Sequence, residues 1–138
     1  MEAGKEPVAK SIASGNETVL LVEDEEAILR PSKTVLERFG YNVIAARTPR
    51  EAVALTGQYE GPIHLLATDV VIPEMNGKEL MERIEKLRPH IKVLFMSGYT
   101  GNVVVHHGIL EDDVHFLQKP FSVDSLASTV RDVLDQQE

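Results

Sequence analysis

Leu65–Gly77 reads LLATDVVIPEMNG, and this stretch decides how the rest of the chain is interpreted. It starts as an apolar run that suits a buried strand, and Asp69 stands where that run ends. Pro73 and Gly77 then turn the chain toward a new helix. A carboxylate at the end of a strand is either a loop anchor or helix cap, or a reactive group. The stretch alone leaves both interpretations open.

The composition favours a single domain whose chemistry relies on oxygen and nitrogen groups. The chain has 138 residues, enough to bury one hydrophobic core. It contains no cysteine, which excludes disulfides and thiolate metal sites, and its net charge of −8 argues against direct binding to nucleic-acid phosphates. No apolar run is long enough to span a membrane, and the first residues lack a signal-peptide pattern. We expect a cytoplasmic domain that by itself binds neither nucleic acid nor membrane.

Apolar runs and amphipathic stretches alternate along the chain. Met1–Glu17 has no sustained periodicity and is predicted to be a flexible tail or interdomain linker, with the domain itself spanning residues 18–138. Five strands are predicted, at Thr18–Val22, Asn42–Ala45, Ile63–Thr68, Lys92–Met96 and Val114–Gln118. A helix is predicted after each strand, and capping boxes are predicted to start two of them, Thr48 with Glu51 and Asn76 with Glu79. The weakest helix lies near Asn102–His107, where valines and glycines lower helix propensity.

This alternation predicts an α/β fold in which a doubly wound parallel sheet carries helices on both faces. For five strands, the commonest arrangement is the flavodoxin-like order 2-1-3-4-5, here with five helices. The ligand site of such folds lies beyond the carboxyl ends of the strands. Polar residues at those ends are therefore candidate site residues.

Polar residues follow four of the five predicted strands. They are Glu23 and Asp24 after the first strand, Asp69 after the third, Ser97 after the fourth and Lys119 after the fifth. Taken singly, each has an ordinary explanation as a solvated charge, a turn residue or an exposed side chain. Taken together, they are brought to one crevice, which the ordinary explanations do not predict.

Three carboxylates in one crevice repel one another unless a cation neutralises them. Because the side chains offer oxygen ligands, we expect a hard divalent ion, and Mg²⁺ suits a site that keeps several waters and shares its ligands with a phosphoryl group. Asp69 would then be both a metal ligand and a nucleophile that attacks phosphorus to give an aspartyl phosphate. The Lys119 ammonium and the Ser97 hydroxyl would neutralise the phosphoryl oxygens.

From about Thr18 to Leu134 the chain resembles the receiver domains of two-component response regulators, which accept a phosphoryl group from a histidine on a sensor kinase. The resemblance rests on five separated features: the Glu23-Asp24 pair, Asp69, Pro73 with Gly77, Ser97, and Lys119-Pro120. Glu23 stands where aspartate is more common, so its arm to the metal is longer. Pro31 lies on the helix that usually docks the partner.

The resemblance implies specific roles for these residues. Asp69 would be the phosphoacceptor, and Mg²⁺ would be held by Glu23, Asp24, Asp69 and the backbone carbonyl of Val71. Ser97 and Lys119 would contact the phosphoryl oxygens. Members of the family often have a cis bond at the position of Lys119-Pro120.

The resemblance also implies a switch formed by Ser97 and Phe116. Phosphorylation would draw Ser97 toward the phosphate, and Phe116 would turn into the space that Ser97 leaves. The surface formed by the predicted fourth helix, the fifth strand and the last helix would change as a result. Plain core packing is the alternative explanation for Phe116.

The implied partner is a histidine kinase or a histidine phosphotransfer domain. The segments FMSGYTG, HHGIL and FLQKPF, together with the linker-like start, are most similar to receivers at the carboxyl end of hybrid sensor histidine kinases. The domain is therefore expected either alone in the cytoplasm or as the cytoplasmic part of a membrane-attached kinase. It would catalyse its own phosphorylation and slow dephosphorylation.

Two other functions remain open at this point. One is a Mg²⁺-dependent aspartyl-phosphate hydrolase of the dehalogenase-like type, although that family requires a second aspartate where this chain has Val71. The other is an interaction domain that has kept the fold and acts without phosphate. The complete set of Glu23, Asp24, Asp69, Ser97 and Lys119 argues against this last possibility.

Overall fold

A single five-stranded sheet carries the fold in the computed structural model, which describes residues 14–72, 74–98 and 115–136. The strands are β1 (Thr18–Val22), β2 (Asn42–Ala46), β3 (Leu65–Asp69), β4 (Lys92–Ser97) and β5 (His115–Gln118). The helices of the described residues are α1 (Glu26–Arg38), α2 (Pro49–Gln58), α3 (Gly77–Leu87) and α4 (Val123–Asp135). Among these helices, none is both long and apolar enough to cross a membrane.

The strand order confirms the predicted topology. The sheet runs β2-β1-β3-β4-β5, and every neighbouring pair of strands is parallel. This is the flavodoxin-like order, and the carboxyl ends of β1 and β3 lie side by side at the point where the order reverses. Five helices were predicted and four are described; the fifth, near Asn102–His107, lies outside the described residues.

The sheet is buried on both faces, and its central strands β1 and β3 are mostly apolar. In β1, Val19 and Leu21 belong to the hydrophobic cluster that includes residues of α1 and α4, whereas Leu20 and Val22 belong to the cluster that includes residues of α2 and α3. Alternate side chains of a strand point to opposite faces, so one continuous apolar run supplies both clusters.

Helix caps fix where α3 and α4 begin relative to the carboxyl edge of the sheet. Asn76 accepts a hydrogen bond from the Glu79 backbone N–H, and Glu79 in turn accepts one from the Asn76 N–H, which is the predicted capping box. Ser122 caps α4 by accepting from the Ser125 N–H. Helix α1 continues through Pro31.

Strand β3 begins two residues later and ends one residue later than the predicted range Ile63–Thr68. Asp69 pairs with Met96 of β4, and the Val70 N–H donates to the Met96 carbonyl at 3.0 Å. The ladder with β4 therefore extends past the last apolar residue of the run. As a result, the backbone of Asp69 is held in the sheet and not in a loop, which limits its freedom to move.

Candidate functional site

Three carboxylates meet at the carboxyl edge of the sheet, as the sequence predicts. Glu23 follows β1 and is 1% exposed, and Asp69 closes β3 and is 5% exposed. Asp24 is half-buried. One oxygen from each of the three side chains lies within 4.8 Å of the others, so the group could hold a metal ion.

Lys119 lies between two of these carboxylates. Its ammonium Nζ is 2.6 Å from Glu23 Oε1 and 2.6 Å from Asp69 Oδ1, and the side chain is 15% exposed. The Lys119 backbone N–H donates to the Ser97 carbonyl at 2.8 Å, which ties the end of β5 to the end of β4. The bond between Lys119 and Pro120 is cis, as the family resemblance implied.

The Asp69 Oδ1 oxygen is buried, and the Lys119 ammonium that pairs with it is shared with Glu23. One ammonium does not neutralise three carboxylates in one crevice. A divalent cation bound beside Asp69 would neutralise the remaining charge, and the oxygens of Glu23, Asp24 and Asp69 are its candidate ligands. This all-oxygen set fits a hard divalent cation such as Mg²⁺.

The pKa values of Glu23, Asp69 and Lys119 are shifted because the three side chains are buried and lie close together. Burial, reinforced by the hydrogen bond with Glu23 and by its charge, raises the pKa of Asp69 to about 8, and Lys119 only partly opposes this. Burial would raise the pKa of Glu23 too, but its hydrogen bonds with Asp69 and Lys119 outweigh burial and lower it. Burial would lower the pKa of Lys119, but the two carboxylates raise it. At neutral pH and without metal, burial and the neighbouring Glu23 therefore favour the protonated form of Asp69.

Without metal, the Asp69→Asn variant is expected to be more stable than the wild-type protein at alkaline pH, by on the order of 2 kcal/mol. Because the pKa of Asp69 rises from 3.8 to about 8 on folding, the folded protein binds this proton more tightly than the unfolded chain does. The contribution of this proton to the free energy of unfolding is fully present below about pH 4 and is lost as the pH rises through about 8. Asparagine has no ionisable proton in this pH range, so the stability of the variant lacks this dependence on pH.

Urea unfolding in the presence of a chelator, at about pH 6 and about pH 9, measures this difference. Asp132→Asn is the matched control, because Asp132 is exposed on α4 away from the acidic edge. Parallel pH profiles for the wild-type protein and the Asp69→Asn variant would contradict the prediction.

An open cleft of about 680 Å³ lies over the acidic edge. Its lining includes four of the polar residues that were predicted to follow strands, namely Asp24, Asp69, Ser97 and Lys119. Val71 also lines the cleft and is 42% exposed. The proposed role of the Val71 backbone carbonyl as a metal ligand stays a prediction.

Gly77 starts α3 at a point where the chain passes very close to β3. Its N–H donates to the Val70 carbonyl at 2.7 Å. A Cβ added at Gly77 would lie under 3.0 Å from the Asp69 backbone carbonyl and 3.2 Å from a ring carbon of Phe95. A side chain at this position would therefore push against the residue that carries the central carboxylate. Pro73, the other residue singled out in this turn, lies outside the described residues.

Phe116 and Pro120 lie at the edge of the site and do not line the described cleft. Phe116 is half-buried in β5 and packs against the small cluster of Val70 and Phe95. This position agrees with core packing, and the switch role of Phe116 stays a prediction. Pro120 is exposed and follows the cis bond.

Backbone contacts that hold Glu23 in place were not predicted from the sequence. The Glu25 N–H donates to Glu23 Oε2 at 3.0 Å, and the Glu23 N–H donates to the Ala46 carbonyl at 3.0 Å. The Arg47 guanidinium also reaches the Asp24 carbonyl at 3.4 Å. Every residue except proline carries a backbone N–H, so no residue pattern identifies such donors in advance.

The fold and the site together define a class: a doubly wound α/β domain with a candidate divalent-cation site at its topological switch point. Residues 19–131 match the family described as the response regulator receiver domain. The chain therefore belongs to the response regulator receiver domain family and is a module of two-component signalling.

Individual relatives support the same assignment. The chain is 38% identical over 125 residues to the sensor kinase CckA of Brucella abortus, an alignment that covers 91% of this chain and 13% of that kinase. It is 32% identical over 116 residues to the response regulator receiver protein CpdR of the same organism, covering 84% of this chain and 95% of CpdR. The crystal structure of the receiver domain from a hybrid histidine kinase CckA has a TM-score of 0.72 at 31% identity, covering 86% of this chain and 99% of that one.

Proposed function

We propose that this receiver domain accepts a phosphoryl group on Asp69 from a phosphohistidine, with Mg²⁺ as the cofactor. The observation that carries the proposal is the position of the Lys119 ammonium, 2.6 Å from both Glu23 and Asp69, in a group of three carboxylates that lie within 4.8 Å of one another. Two carboxylates as metal ligands, a third as nucleophile and ligand, and a fixed cation match the needs of phosphoryl transfer.

The transfer forms one bond and breaks one bond. A carboxylate oxygen of Asp69 bonds to phosphorus while the phosphorus–nitrogen bond of the phosphohistidine breaks, and the bonding electron pair stays on the imidazole nitrogen. The product is an aspartyl phosphate. The Lys119 ammonium and the Ser97 hydroxyl stabilise charge on the phosphoryl oxygens.

Glu23, Asp24, Asp69 and the Val71 backbone carbonyl are the proposed ligands of Mg²⁺. When bound, the ion would neutralise the carboxylates and the incoming phosphoryl oxygens. The raised pKa of Asp69 supports this arrangement, because a carboxylate that is protonated without metal needs a cation to stay ionised at neutral pH.

The proposed readout of phosphorylation runs through Ser97 and Phe116. Ser97 is buried at the end of β4 and lines the cleft, and Phe116 lies on the neighbouring strand β5, where Ser97 pairs with Gln118. A shift of Ser97 toward the phosphate would alter packing beside Phe116. The surface that includes β5 and α4 would respond to that change.

We further propose that a histidine kinase or a histidine phosphotransfer domain donates the phosphoryl group. The parent protein would be a hybrid kinase that is either cytoplasmic or attached to the membrane. The likeness to part of the sensor kinase CckA supports the hybrid context. The likeness to CpdR, which is covered almost completely, keeps a stand-alone regulator as the alternative. The full reading frame around this chain distinguishes the two.

Incubation with Mg²⁺ and phosphoramidate tests the phosphoacceptor assignment. We expect intact-protein mass spectrometry to show the addition of one phosphoryl group, which hydroxylamine removes because it cleaves acyl phosphates. Asp69→Asn and a chelator should each abolish the addition, whereas the control Asp132→Asn should be labelled like the wild-type protein. A label that persists on the Asp69→Asn variant would refute the assignment.

The same preparation distinguishes the two other functions. Multiple turnover of an ordinary phosphomonoester would favour the hydrolase. Failure to bind either Mg²⁺ or beryllofluoride would favour an interaction domain that acts without phosphate.

A further inference from the structure

Residues 14–17, which precede β1, contact two other parts of the domain at the edge of the sheet opposite the cleft. The Gly15 N–H donates to the Phe39 carbonyl at 3.0 Å, and the Asn42 N–H donates to the Glu17 carbonyl at 3.0 Å. Phe39 directly follows α1, and Asn42 is the first residue of β2. The backbone of this short segment is therefore paired on both sides before the first strand begins.

Arg131 of α4 joins this segment to the last helix. Its Nη1 donates to the Ser14 carbonyl at 3.0 Å and to Glu17 Oε1 at 3.1 Å, while Nη2 donates to Glu17 Oε2 at 2.7 Å. The Arg131 side chain is only 15% exposed. A two-pronged arginine–carboxylate pair that is shielded from water is among the stronger polar contacts in proteins.

Two neighbours complete the environment of Arg131. Asp135, one helical turn further along α4, receives hydrogen bonds from Nε at 3.2 Å and from Nη2 at 2.9 Å. The Tyr41 hydroxyl accepts from Nη1 at 3.3 Å, and the Arg131 guanidinium carbon lies 6.0 Å from the centre of the Tyr41 ring. The hydrogen bond from Arg131 also lowers the pKa of Glu17, so Glu17 is charged at neutral pH.

Two glycines make this close approach possible. A Cβ added at Gly15 would lie under 3.0 Å from both Arg131 and Tyr41. Gly40 has a φ of +102°, which L side chains rarely adopt, and a Cβ added there would lie under 3.0 Å from the Gly15 carbonyl. The segment thus fits a space with no room for a side chain at either position.

We propose that Ser14–Glu17 is a strap, a structural part of the domain that Arg131 fastens to α4. The folded unit then includes Ser14–Glu17, which the sequence pattern assigns to a flexible tail or linker. This inference does not depend on phosphorylation of Asp69 or on any bound metal.

Hydrogen exchange of the full chain tests the strap. In the wild-type protein, we expect the Gly15 and Asn42 amides to exchange at least about tenfold more slowly than in an unstructured peptide. Arg131→Gln should accelerate exchange of the Gly15 amide by about tenfold or more, because charged hydrogen bonds to both Ser14 and Glu17 are lost. Arg83→Gln is the matched control, since Arg83 is exposed on α3 and makes no hydrogen bond to the described residues.

Two further variants keep the test decisive if Arg131→Gln fails to fold. Glu17→Gln removes the charge of the other partner, leaves Arg131 in place and should accelerate exchange of the same amide. Gly15→Ala should accelerate it through steric clash. Unprotected exchange of the Gly15 amide in the wild-type protein would overturn the proposal. So would equal exchange in the Arg131→Gln and Arg83→Gln variants.

Discussion

Gly77→Ala is expected to lower the free energy of unfolding by about 3 kcal/mol, because overpacking against the backbone cannot be relieved by a side-chain rotation. The added Cβ would lie under 3.0 Å from the Asp69 carbonyl, and 3.2 Å from Phe95 on the other side. Either the start of α3 or the end of β3 must move. Since the Asp69 carboxylate is attached at that point, we also expect weaker Mg²⁺ binding.

Urea unfolding with and without Mg²⁺ measures both effects. Gly57→Ala is the matched control: Gly57 lies in α2 and a Cβ added there would meet nothing within 4 Å. That change should raise stability by up to about 1 kcal/mol, because alanine favours the helix over the unfolded chain. If Gly77→Ala were as stable as Gly57→Ala, the close approach at Gly77 would not be a constraint on the fold.

Lys119→Met is expected to slow phosphorylation of Asp69 by about 100-fold, the effect typical of removing one preorganised charge from a transition state. The ammonium lies 2.6 Å from Asp69 Oδ1, so it is already placed where an oxygen of the incoming group would develop charge. Methionine retains most of the apolar length of the side chain and removes only the charge. The initial rate of phosphoryl addition from phosphoramidate at saturating Mg²⁺ measures the effect.

Lys86→Met serves as the control for Lys119→Met, because Lys86 is exposed at the end of α3. Circular dichroism gives the folded fraction of each variant, and the rates are compared per folded molecule. A rate for Lys119→Met within a few fold of the control would remove Lys119 from the transfer step. It would then be a residue that only balances the charge of Glu23 and Asp69.

The strands illustrate what a sequence pattern can predict about this fold. Thr18–Val22 was predicted as a strand and forms β1, because a short, almost entirely apolar run suits a strand that is covered on both faces. The end of β3 was predicted one residue early. The predicted strand ends at Thr68, but pairing with β4 continues through Asp69. The register with a neighbouring strand cannot be read from one strand's own residues.

The beginnings of the helices were also predicted only in part. Asn76 and Glu79 form the predicted capping box, and the Thr48 hydroxyl accepts from the Glu51 N–H as predicted. The Glu51 carboxylate, however, accepts from the Arg47 N–H and not from Thr48. The pattern predicts which backbone donors need a partner, whereas the rotamer that selects between adjacent donors depends on the local geometry.

The residues that form the site could be predicted from the sequence, but their distances and burial could not. Parallel strands bring their carboxyl ends to one edge, so the convergence of Glu23, Asp24, Asp69, Ser97 and Lys119 follows from topology alone. The burial that raises the pKa of Asp69 depends on packing that no motif encodes. Likewise, the contact between Glu17 and Arg131 joins residues that are 114 positions apart.

Helix α4 begins near the cleft at the carboxyl edge of the sheet and contacts Ser14–Glu17 at the opposite edge. It begins at Val123, shortly after the Lys119–Pro120 bond beside the cleft, and Arg131 lies about 12 Å further along its axis at a rise of 1.5 Å per residue. A helix transmits displacement along its length with little compression. A tilt of α4 at the cleft would therefore displace Arg131 and, through its hydrogen bonds, Ser14 and Glu17 at the opposite edge of the sheet.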